Sequence, residues 1–352
     1  MKFVKKDNKI LDFLSAGVAI DLGTSNTLVY VKGKGIVFNE PTVVAVNKKT
    51  NQLVAVGKDA KIIQDRSPGH IEVIEPLVDG VVSDFEAAEE MLTFLISKVR
   101  QSVRTIISPR ILVGVPSGVS NVEMRAVHDV VKNAGAREVF LVEEVMAAAL
   151  GSKLPISKAS ASMIVDIGGG TADIAVISLN GLVSSKNVKN AGEHLNEAII
   201  SYVRYQFRIH IGKQTAERAK ISLISTLADS SKEITVCGRD AASGLPREIV
   251  ITDSDIYDAV SSYIVTLTDD IKSVMEETPP EVLADIMKKG IYLSGGGSLI
   301  PGLDDLLKKE LQVPVHVVTD PIHTVIRGLG VMIEDLSNYQ EFLIDYEKTF
   351  IT

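Results

Sequence analysis

The sequence has very little of what builds covalent and metal cross-links. Cys237 is the one cysteine among 352 residues, and tryptophan does not occur. One cysteine can form neither an intramolecular disulfide nor a cysteine-based zinc site, and such usage favours a reducing cytoplasm. The six histidines do not cluster at the spacings of metal ligands, which argues against a catalytic zinc site. They are His70, His128, His194, His210, His316 and His323.

Long apolar runs and excess positive charge are also lacking. Hydrophobic residues make up 45% of the chain, but no run approaches the roughly 20 apolar residues of a membrane-spanning helix, which excludes an integral membrane protein. The 45 acidic residues outnumber the 37 basic ones, and the net charge of -8 argues against non-specific nucleic-acid binding. The length predicts two or three domains of about 150 residues each.

Residues 1–14 are basic but do not form a secretory signal, because their apolar residues are interrupted and no cleavage site of small residues follows. In a helix the apolar residues would lie on one face and the lysines on another, as in an interfacial membrane helix, although Asp7 interrupts the apolar side. A disordered, solvated tail is the alternative. The lysines are Lys2, Lys5, Lys6 and Lys9, and the apolar residues are Phe3, Val4, Ile10, Leu11 and Leu14.

The rest of the chain alternates short apolar runs with stretches of helical periodicity, which predicts an α/β protein. The predicted strands, some joined by tight turns, lie within residues 18–31, 41–46, 52–56, 110–115, 140–142, 163–179, 233–237, 247–252 and 291–294. The predicted helices are residues 85–100, 122–134, 144–151, 192–210, 215–224 and 254–277, with another after Pro301. We expect the Pro279-Pro280 pair to break the long helix 254–277.

One strand–turn–strand unit occurs twice in the chain. DLGT (residues 21–24) and DIGGGT (residues 166–171) each follow one apolar strand and precede another. Repetition at this distance predicts two similar halves. Two such hairpins facing each other would place glycine-rich backbone and one carboxylate on each side of a cleft. A third glycine turn, SGGGS (residues 294–298), follows another short strand.

The chemistry of these turns favours phosphate binding. In a glycine-rich hairpin the backbone N–H groups can approach an anion closely. Asp21 and Asp166 would repel phosphate directly, but they can hold Mg²⁺ through water, with the ion bridging to the phosphates. A tight β-turn without a ligand is the alternative for either hairpin alone. Three such turns suit a nucleotide, although the sequence has neither a GxxxxGK[ST] nor a GxGxxG loop.

Segments of the sequence match those of a known family, in family order, over nearly the whole chain after residue 16. They are DLGTSNTLVYVKGKGIVFNEPTVVAV (21–46), PLVDGVVSDF (76–85), PRILVGVPSGVSNVEMRAV (109–127), LVEEVMAAALG (141–151), DIGGGTADIAVISL (166–179), TAERAKI (215–221), GRDAASGLPR (238–247), EETPPEVLADI (276–286) and LSGGGSLIPGL (293–303). Together they resemble the actin superfamily, which includes actin, sugar kinases and heat-shock chaperone ATPase domains. Within it the sequence is most similar to the MreB family of bacterial actins.

This resemblance implies an α/β, actin-like ATPase fold in which two duplicated ribonuclease-H-like halves form four subdomains around a nucleotide cleft. Residues 17–153 with 319–352 would form the first half, with a small subdomain at about 33–78. Residues 154–318 would form the second half, with a small subdomain at about 191–256. The resemblance also implies a slow ATPase with ATP or ADP and Mg²⁺ as cofactors.

The resemblance further implies roles for individual residues. Glu144 would orient the attacking water, with Glu143 as the alternative, and Thr171 would support that water or the γ-phosphate. Glu217 and Lys220 would flank the ribose and adenine, although a solvated helical salt bridge is the alternative. Asp21 and Asp166 would hold Mg²⁺ through water. The phosphate loops would be Gly23, Thr24, Ser25 and Asn26, and Gly168, Gly169, Gly170 and Thr171, with Gly192, Gly295, Gly296 and Gly297 completing the nucleotide site.

Two departures from the family pattern bear on hydrolysis. Val145 stands where the family has a proline after two glutamates. Without that proline the start of the helix could be looser and Glu144 could be misplaced. Ala172 stands where the family has a second hydroxyl residue. Both put the rate of hydrolysis in doubt, but not nucleotide binding.

The implied function is that of a filament protein in the cytoplasm. Head-to-tail polymers in paired, antiparallel protofilaments would work at the inner face of the anionic membrane and govern cell shape or shape-based motility, with no nucleic-acid partner. Ile106 and Ile107 match the apolar pair that the family exposes to lipid, and Arg100 and Arg104 could meet anionic headgroups. As an alternative, the two isoleucines begin the following strand.

Two other classes of the same superfamily are alternatives. A metabolic kinase needs a sugar-binding insert and a catalytic base, and the sequence offers no candidate for either. A chaperone ATPase needs a substrate domain after the ATPase core, whereas the sequence ends at Thr352. The filament protein is therefore the expected function.

Overall fold

The computed structural model describes residues 16–64, 66–103, 107–189, 191–226 and 232–345. The chain divides into two compact units. The first unit comprises Met1–Lys158, Leu179–Gly181 and Ile322–Thr352, and the second comprises Ala159–Ser178 and Leu182–Pro321. The predicted tail helix within residues 1–14 and the predicted lipid contact Ile106 lie outside the described residues.

Strands and helices alternate through the chain, which confirms the predicted α/β class. The strands are β1 (Gly17–Leu22), β2 (Asn26–Val31), β3 (Gly35–Pro41), β4 (Val44–Asn47), β5 (Gln52–Val56), β6 (Ile71–Ile74), β7 (Leu77–Val78), β8 (Val81–Val82), β9 (Arg110–Val115), β10 (Glu138–Glu143), β11 (Ser162–Ile167), β12 (Ala172–Ser178), β13 (Gly181–Val188), β14 (Ile209–His210), β15 (Glu233–Asp240), β16 (Pro246–Thr252), β17 (Ile291–Ser294) and β18 (Val315–Val317). The α-helices are α1 (Lys58–Ile63), α2 (Phe85–Val103), α3 (Asn121–Asn133), α4 (Glu144–Gly151), α5 (Gly192–Phe207), α6 (Lys213–Leu223), α7 (Asp253–Glu277), α8 (Pro280–Lys289), α9 (Leu303–Leu311) and α10 (Thr324–Glu334). Short 3₁₀ helices lie at Gly296–Leu299, Pro321–His323 and Leu336–Phe342.

The first unit is built on a five-stranded sheet in the order β10-β9-β1-β2-β3. Strand β1 pairs antiparallel with β2 and parallel with β9, and β9 pairs parallel with β10. Central strands covered on both faces are continuously apolar, and Val18, Ala19 and Ile20 are accordingly at most 1% exposed. Helix α10 packs against α4 and β1. A smaller sheet has the order β5-β4-β6.

The second unit repeats this arrangement. Its main sheet has the order β13-β12-β11-β17-β18, and β11 pairs antiparallel with β12 and parallel with β17. Strand β11 therefore has a hairpin partner on one side and a parallel strand on the other, as β1 has in the first unit. The predicted internal repeat of the strand–turn–strand unit is confirmed. A smaller sheet has the order β14-β15-β16.

Some predicted boundaries were wrong for identifiable reasons. The helix expected over residues 192–210 ends at Phe207, because Arg208 adopts a left-handed conformation with φ of 59° and His210 pairs with β15 instead. The expected helix break at Pro279-Pro280 is confirmed, but Pro280 also begins the unpredicted helix α8. Proline suits the first turn of a helix, where its missing N–H is not needed.

None of the helices within the described ranges combines the length and the apolar composition that a bilayer crossing requires.

Candidate functional site

The first glycine hairpin joins β1 to β2 in the first unit. A Cβ atom at Gly23 would lie 2.8 Å from the Asn26 carbonyl oxygen, so glycine alone fits this turn. The hydroxyl of Thr42 donates to the Gly23 carbonyl at 2.6 Å, and its backbone N–H donates to the Ser25 carbonyl at 3.0 Å. The turn is thus fixed by the chain that follows β3.

Side chains of this hairpin also contact neighbouring segments. The hydroxyl of Thr24 accepts a hydrogen bond from the Gly80 backbone N–H at 2.9 Å, and the Asn26 side-chain amide donates to Asn39 at 2.9 Å. Asp21 is half-buried at the end of β1. The predicted loop residues 23–26 and Asp21 therefore lie together at one end of the central hairpin.

Glu144 is the first residue of α4 and is only 9% exposed. The parallel register aligns Ile20 with Val113 and Val142 with Gly114, so β1, β9 and β10 end at the same edge of the sheet. At Gly114 an added Cβ would lie 3.0 Å from Glu144 Cγ, so the glutamate side chain packs directly on the β9 backbone. Asp21 and Glu144 are thereby brought to the carboxyl ends of β1 and β10, the strands on either side of β9, at the edge where α/β sheets bind ligands.

The two departures from the family pattern fall on buried residues. Val145 is fully buried, and α4 begins at Glu144 without the proline. Ala172 is fully buried at the start of β12. Burial raises the pKa of the neighbouring Glu143 carboxyl.

The second glycine hairpin joins β11 to β12 in the second unit. The Gly168 N–H donates to the Thr171 carbonyl at 2.8 Å, and Thr171 is 8% exposed. The first amides of α5 meet this turn, with the Gly192 N–H donating to the Gly168 carbonyl at 3.3 Å and the Glu193 N–H to the Gly169 carbonyl at 2.7 Å. The N-terminus of α5 is thus packed on the glycine turn, where the helix dipole favours a nearby anion.

Asp166 is buried at the end of β11 and accepts a hydrogen bond from the Ser294 hydroxyl. The two residues are register partners in the parallel pair of β11 and β17. Burial raises the pKa of Asp166 to about 6, although the hydrogen bond from Ser294 opposes the shift.

The third glycine turn packs on the same strand end. Gly295 has φ of 77°, and a Cβ there would overlap the Ile167 carbonyl, while a Cβ at Gly297 would overlap the Ile167 side chain. At Gly296 nothing lies within 4 Å of an added Cβ, so this residue faces open space. The second and third turns are therefore held in contact through Ile167.

Glu217 and Lys220 form a 2.8 Å ion pair on α6, as their spacing predicts. The pair is not simply solvated, because the Lys220 ammonium is 13% exposed and also donates to the Gly192 carbonyl at 2.8 Å. Through Gly192 it is connected to the second glycine hairpin. The structure thus brings both predicted residues to the turn that the sequence assigned to phosphate.

Three residues of this cluster, Glu193, Asn196 and Lys213, were missed by the sequence analysis. The Asn196 amide donates to Glu217 at 2.6 Å and to Glu193 at 3.3 Å, and Lys213 forms a 3.1 Å ion pair with Glu193. Burial favours the neutral form of Glu193, but Lys213 and the bond from Asn196 outweigh it and lower the pKa. The sequence did contain a signal for two of them. Glu193 and Asn196 are three residues apart, a spacing that places both on the same face of the helix that begins at Gly192.

The structure offers no cluster of metal ligands in the part of the chain it describes, since no three His, Cys, Asp or Glu side chains gather there. Of the predicted lipid contacts, Ile107 is half-buried in a bend. Strand β9 begins at Arg110, so Ile107 precedes the strand and does not begin it.

A family model described as MreB/Mbl protein matches residues 15–341. The chain belongs to the MreB/Mbl family. It is 46% identical over 333 residues to the cell shape-determining protein MreB of Pasteurella multocida (strain Pm70), an alignment that covers 93% of this chain and 95% of that protein. The family predicted from the sequence motifs is therefore confirmed.

Solved structures support the same assignment. MreB5 of Spiroplasma citri is 36% identical to this chain, with a TM-score of 0.88 when bound to ADP and 0.86 when bound to AMPPNP. Each alignment covers 93% of this chain and 98% of that one. The MamK double helical filament is 23% identical and has a TM-score of 0.78 over 91% of this chain and 99% of that one. The predicted actin-like fold is confirmed.

Proposed function

We propose that the protein is an ATP-binding, actin-like cytoskeletal protein that assembles into filaments and governs cell shape. Membership of the MreB/Mbl family, a relative named for determining cell shape and another solved with ADP and AMPPNP support this function. The observation that carries the proposal is the Asp–Gly hairpin at the central strand of the main sheet in each unit. The family match does not favour a metabolic kinase or a chaperone-type ATPase.

In the second unit, the nucleotide would contact the glycine turns and the polar pair on α6. The glycine turn of Gly168, Gly169, Gly170 and Thr171 would bind phosphate, with Gly192 packed beside it. Glu217 and Lys220 would flank the ribose and adenine. The open space at Gly296, between Gly295 and Gly297, would accept part of the nucleoside.

In the first unit, the hairpin of Gly23, Thr24, Ser25 and Asn26 would bind phosphate, and Glu144 would orient the attacking water. A buried carboxylate fixed against Gly114 suits this role, because phosphoryl transfer depends mainly on positioning. Thr171 of the second unit would support the water or the γ-phosphate. As the family resemblance implies, the protein would hydrolyse ATP slowly.

Asp21 and Asp166 would each hold Mg²⁺ through water. Asp21 and Asp166 each lie at the end of a strand, directly before a phosphate-binding turn, and Ser294 fixes one oxygen of Asp166. Mg²⁺ commonly keeps several waters and uses one or two carboxylates together with phosphate oxygens. When bound, the ion would neutralise the charge that develops on the phosphates.

The filament would form by head-to-tail association in paired, antiparallel protofilaments and work in the cytoplasm at the inner face of the membrane. Ile106 and Ile107 would insert shallowly into lipid, and the lysines of residues 1–14 would meet anionic headgroups. One weak anchor gives only marginal attachment, so the two segments would act together.

Sedimentation with and without Mg²⁺-ATP tests this function. A filament protein pellets with nucleotide, whereas a kinase releases ADP only with an acceptor and a chaperone ATPase responds to unfolded clients. Asp21→Ala and Asp166→Ala should each weaken Mg²⁺-ATP binding or hydrolysis. Unchanged Mg²⁺-dependent ATPase activity in both variants would contradict the assigned site.

A further inference from the structure

The interior of the α5–α6 pair contains an amide that is held between two carboxylates. Asn196 is 1% exposed, and its Nδ2 donates to Glu217 Oε2 at 2.6 Å and to Glu193 Oε2 at 3.3 Å. Both carboxylates also contact a lysine, because Lys220 donates to Glu217 and Lys213 pairs with Glu193. The amide therefore joins two ion pairs into one continuous polar network.

The orientation of this amide is dictated by the two carboxylates. Its Oδ1 atom is buried and makes no hydrogen bond in the described part of the chain. A flipped amide would place Oδ1 against two carboxylate oxygens, acceptor facing acceptor, which is unfavourable. The observed orientation leaves Oδ1 unpaired, so the two hydrogen bonds from Nδ2 must outweigh that loss.

The same network determines which oxygen of Glu217 can take a ligand. Asn196 and Lys220 both donate to Oε2, at 2.6 Å and 2.8 Å. Among the described residues, no hydrogen bond to Oε1 of Glu217 is made. The Glu217 side chain is 31% exposed, so Oε1 can accept a hydrogen bond from the hydroxyl of a bound ligand. Two donors on Oε2 fix the plane of the carboxylate group and therefore the direction in which Oε1 points.

We propose that Asn196 is a positioning residue for nucleotide recognition, which aims Oε1 of Glu217 at a ribose hydroxyl by holding Oε2 between two donors. This inference rests on the proposed nucleotide-binding function. Lys220 anchors the network to the Gly192 carbonyl, and Gly192 contacts the glycine hairpin through Gly168. The ribose acceptor is therefore fixed relative to the phosphate-binding turn.

Competition binding with Mg²⁺-ATP, 2′-deoxy-ATP and 3′-deoxy-ATP tests the proposal. The parent protein should prefer ATP roughly tenfold over the analogue that lacks the recognised hydroxyl, as expected for a hydrogen bond to a charged group. In Asn196→Asp and Asn196→Ala the preference should fall to about twofold or less. The ratio of affinities is the readout, since a partly unfolded sample lowers binding capacity but leaves the ratio unchanged.

Asn180→Asp is the matched control, because the Asn180 amide also donates to a glutamate, Glu341 at 2.8 Å, on the exposed surface of the first unit. It should keep the full preference. In a Glu217→Gln background, Asn196→Ala should leave the ratio unchanged, because residues that act through one another are not additive.

Three outcomes would overturn the inference. A preference that survives in both Asn196 variants shows that Glu217 is positioned without the amide, and a parent that binds ATP and both deoxy analogues equally shows that Glu217 does not read the ribose. A parent that binds no Mg²⁺-ATP contradicts the proposed function itself, and the inference with it. The first two results leave nucleotide binding intact, so the failures are distinguishable.

Discussion

Ser294 donates a hydrogen bond to Asp166 across the parallel strands β11 and β17, where the two residues are register partners. The serine fixes one carboxylate oxygen at the bottom of the site that we assign to nucleotide. Because Ser294 also begins the third glycine turn, the carboxylate and that turn are held in fixed relation. The second unit therefore presents Asp166 and the third glycine turn in one fixed arrangement.

The buried carboxylate of Asp166 predicts a conflict between stability and function. Its pKa rises from 3.8 to about 6 on folding, so the folded state binds the proton more tightly and the free energy of unfolding falls as pH rises between these values. Above pH 6 the penalty is about 3 kcal/mol, from about 1.4 kcal/mol for each pKa unit. We expect Asp166→Asn to stabilise the nucleotide-free protein by up to that amount at pH 7.5 and to leave stability near pH 4 unchanged.

Chemical denaturation of the nucleotide-free protein at both pH values measures this effect. Asp305→Asn, which also removes one negative charge but from an exposed residue, should change stability by less than about 1 kcal/mol. A stabilisation of the Asp166 variant that is equal at pH 4 and pH 7.5 would contradict the role of its ionisation.

The position of Glu144 predicts a selective loss of hydrolysis. Glu144→Gln should lower the rate of phosphate release at least tenfold, about 1.4 kcal/mol of barrier, because the neutral amide orients water less well. Nucleotide affinity should remain within about twofold. Phosphate release and equilibrium binding, measured on the same preparations, check the two parts. Glu143→Gln is the matched control, and a larger loss in that variant would transfer the role to Glu143.

The third glycine turn predicts opposite effects at adjacent residues. Gly295→Ala should lower the free energy of unfolding by about 3 kcal/mol, because alanine is strained at this positive φ and its Cβ would overlap the Ile167 carbonyl. Gly296→Ala, with open space around it, should leave stability unchanged or raise it by up to about 1 kcal/mol. Urea unfolding of both variants tests the difference, and equal losses would contradict it.

The proposed membrane attachment predicts a dependence on both lipid charge and salt. Ile106→Ser with Ile107→Ser should reduce co-sedimentation with anionic liposomes, and deletion of residues 1–14 should remove most of the salt-sensitive remainder, since screening strengthens with salt. ATP binding should be unchanged. Ile62→Ser, at an isoleucine of α1 that is 66% exposed, is the control. The assay is run under conditions in which filaments without liposomes stay in solution. If both altered proteins then pellet with anionic liposomes as fully as the parent does, the proposed attachment is refuted.

Much of the fold could be predicted because its signals are local. The two Asp–Gly hairpins follow from apolar strands on either side of a turn that only glycine fits, as the 2.8 Å approach at Gly23 shows. Helix α3 was predicted to within a residue at each end because its helical periodicity is local and Gly135 follows its end. In the structure a capping box of Ser120 and Glu123 begins the helix. Boundaries failed where a distant partner decided them, as at His210, which pairs with Arg239 of β15.

The sequence by itself determined the repeated hairpins, the α/β class and the family, because these depend on residue types at short spacings. Tertiary structure decided the partners of the site residues. Ser294 reaches Asp166 across 128 positions, and Asn196 reaches Glu217 across 21. Such contacts depend on which strands become neighbours and on which face of a helix is covered. The arrangement of strands and helices is determined by the burial of apolar surface throughout the unit. No local sequence pattern specifies that arrangement.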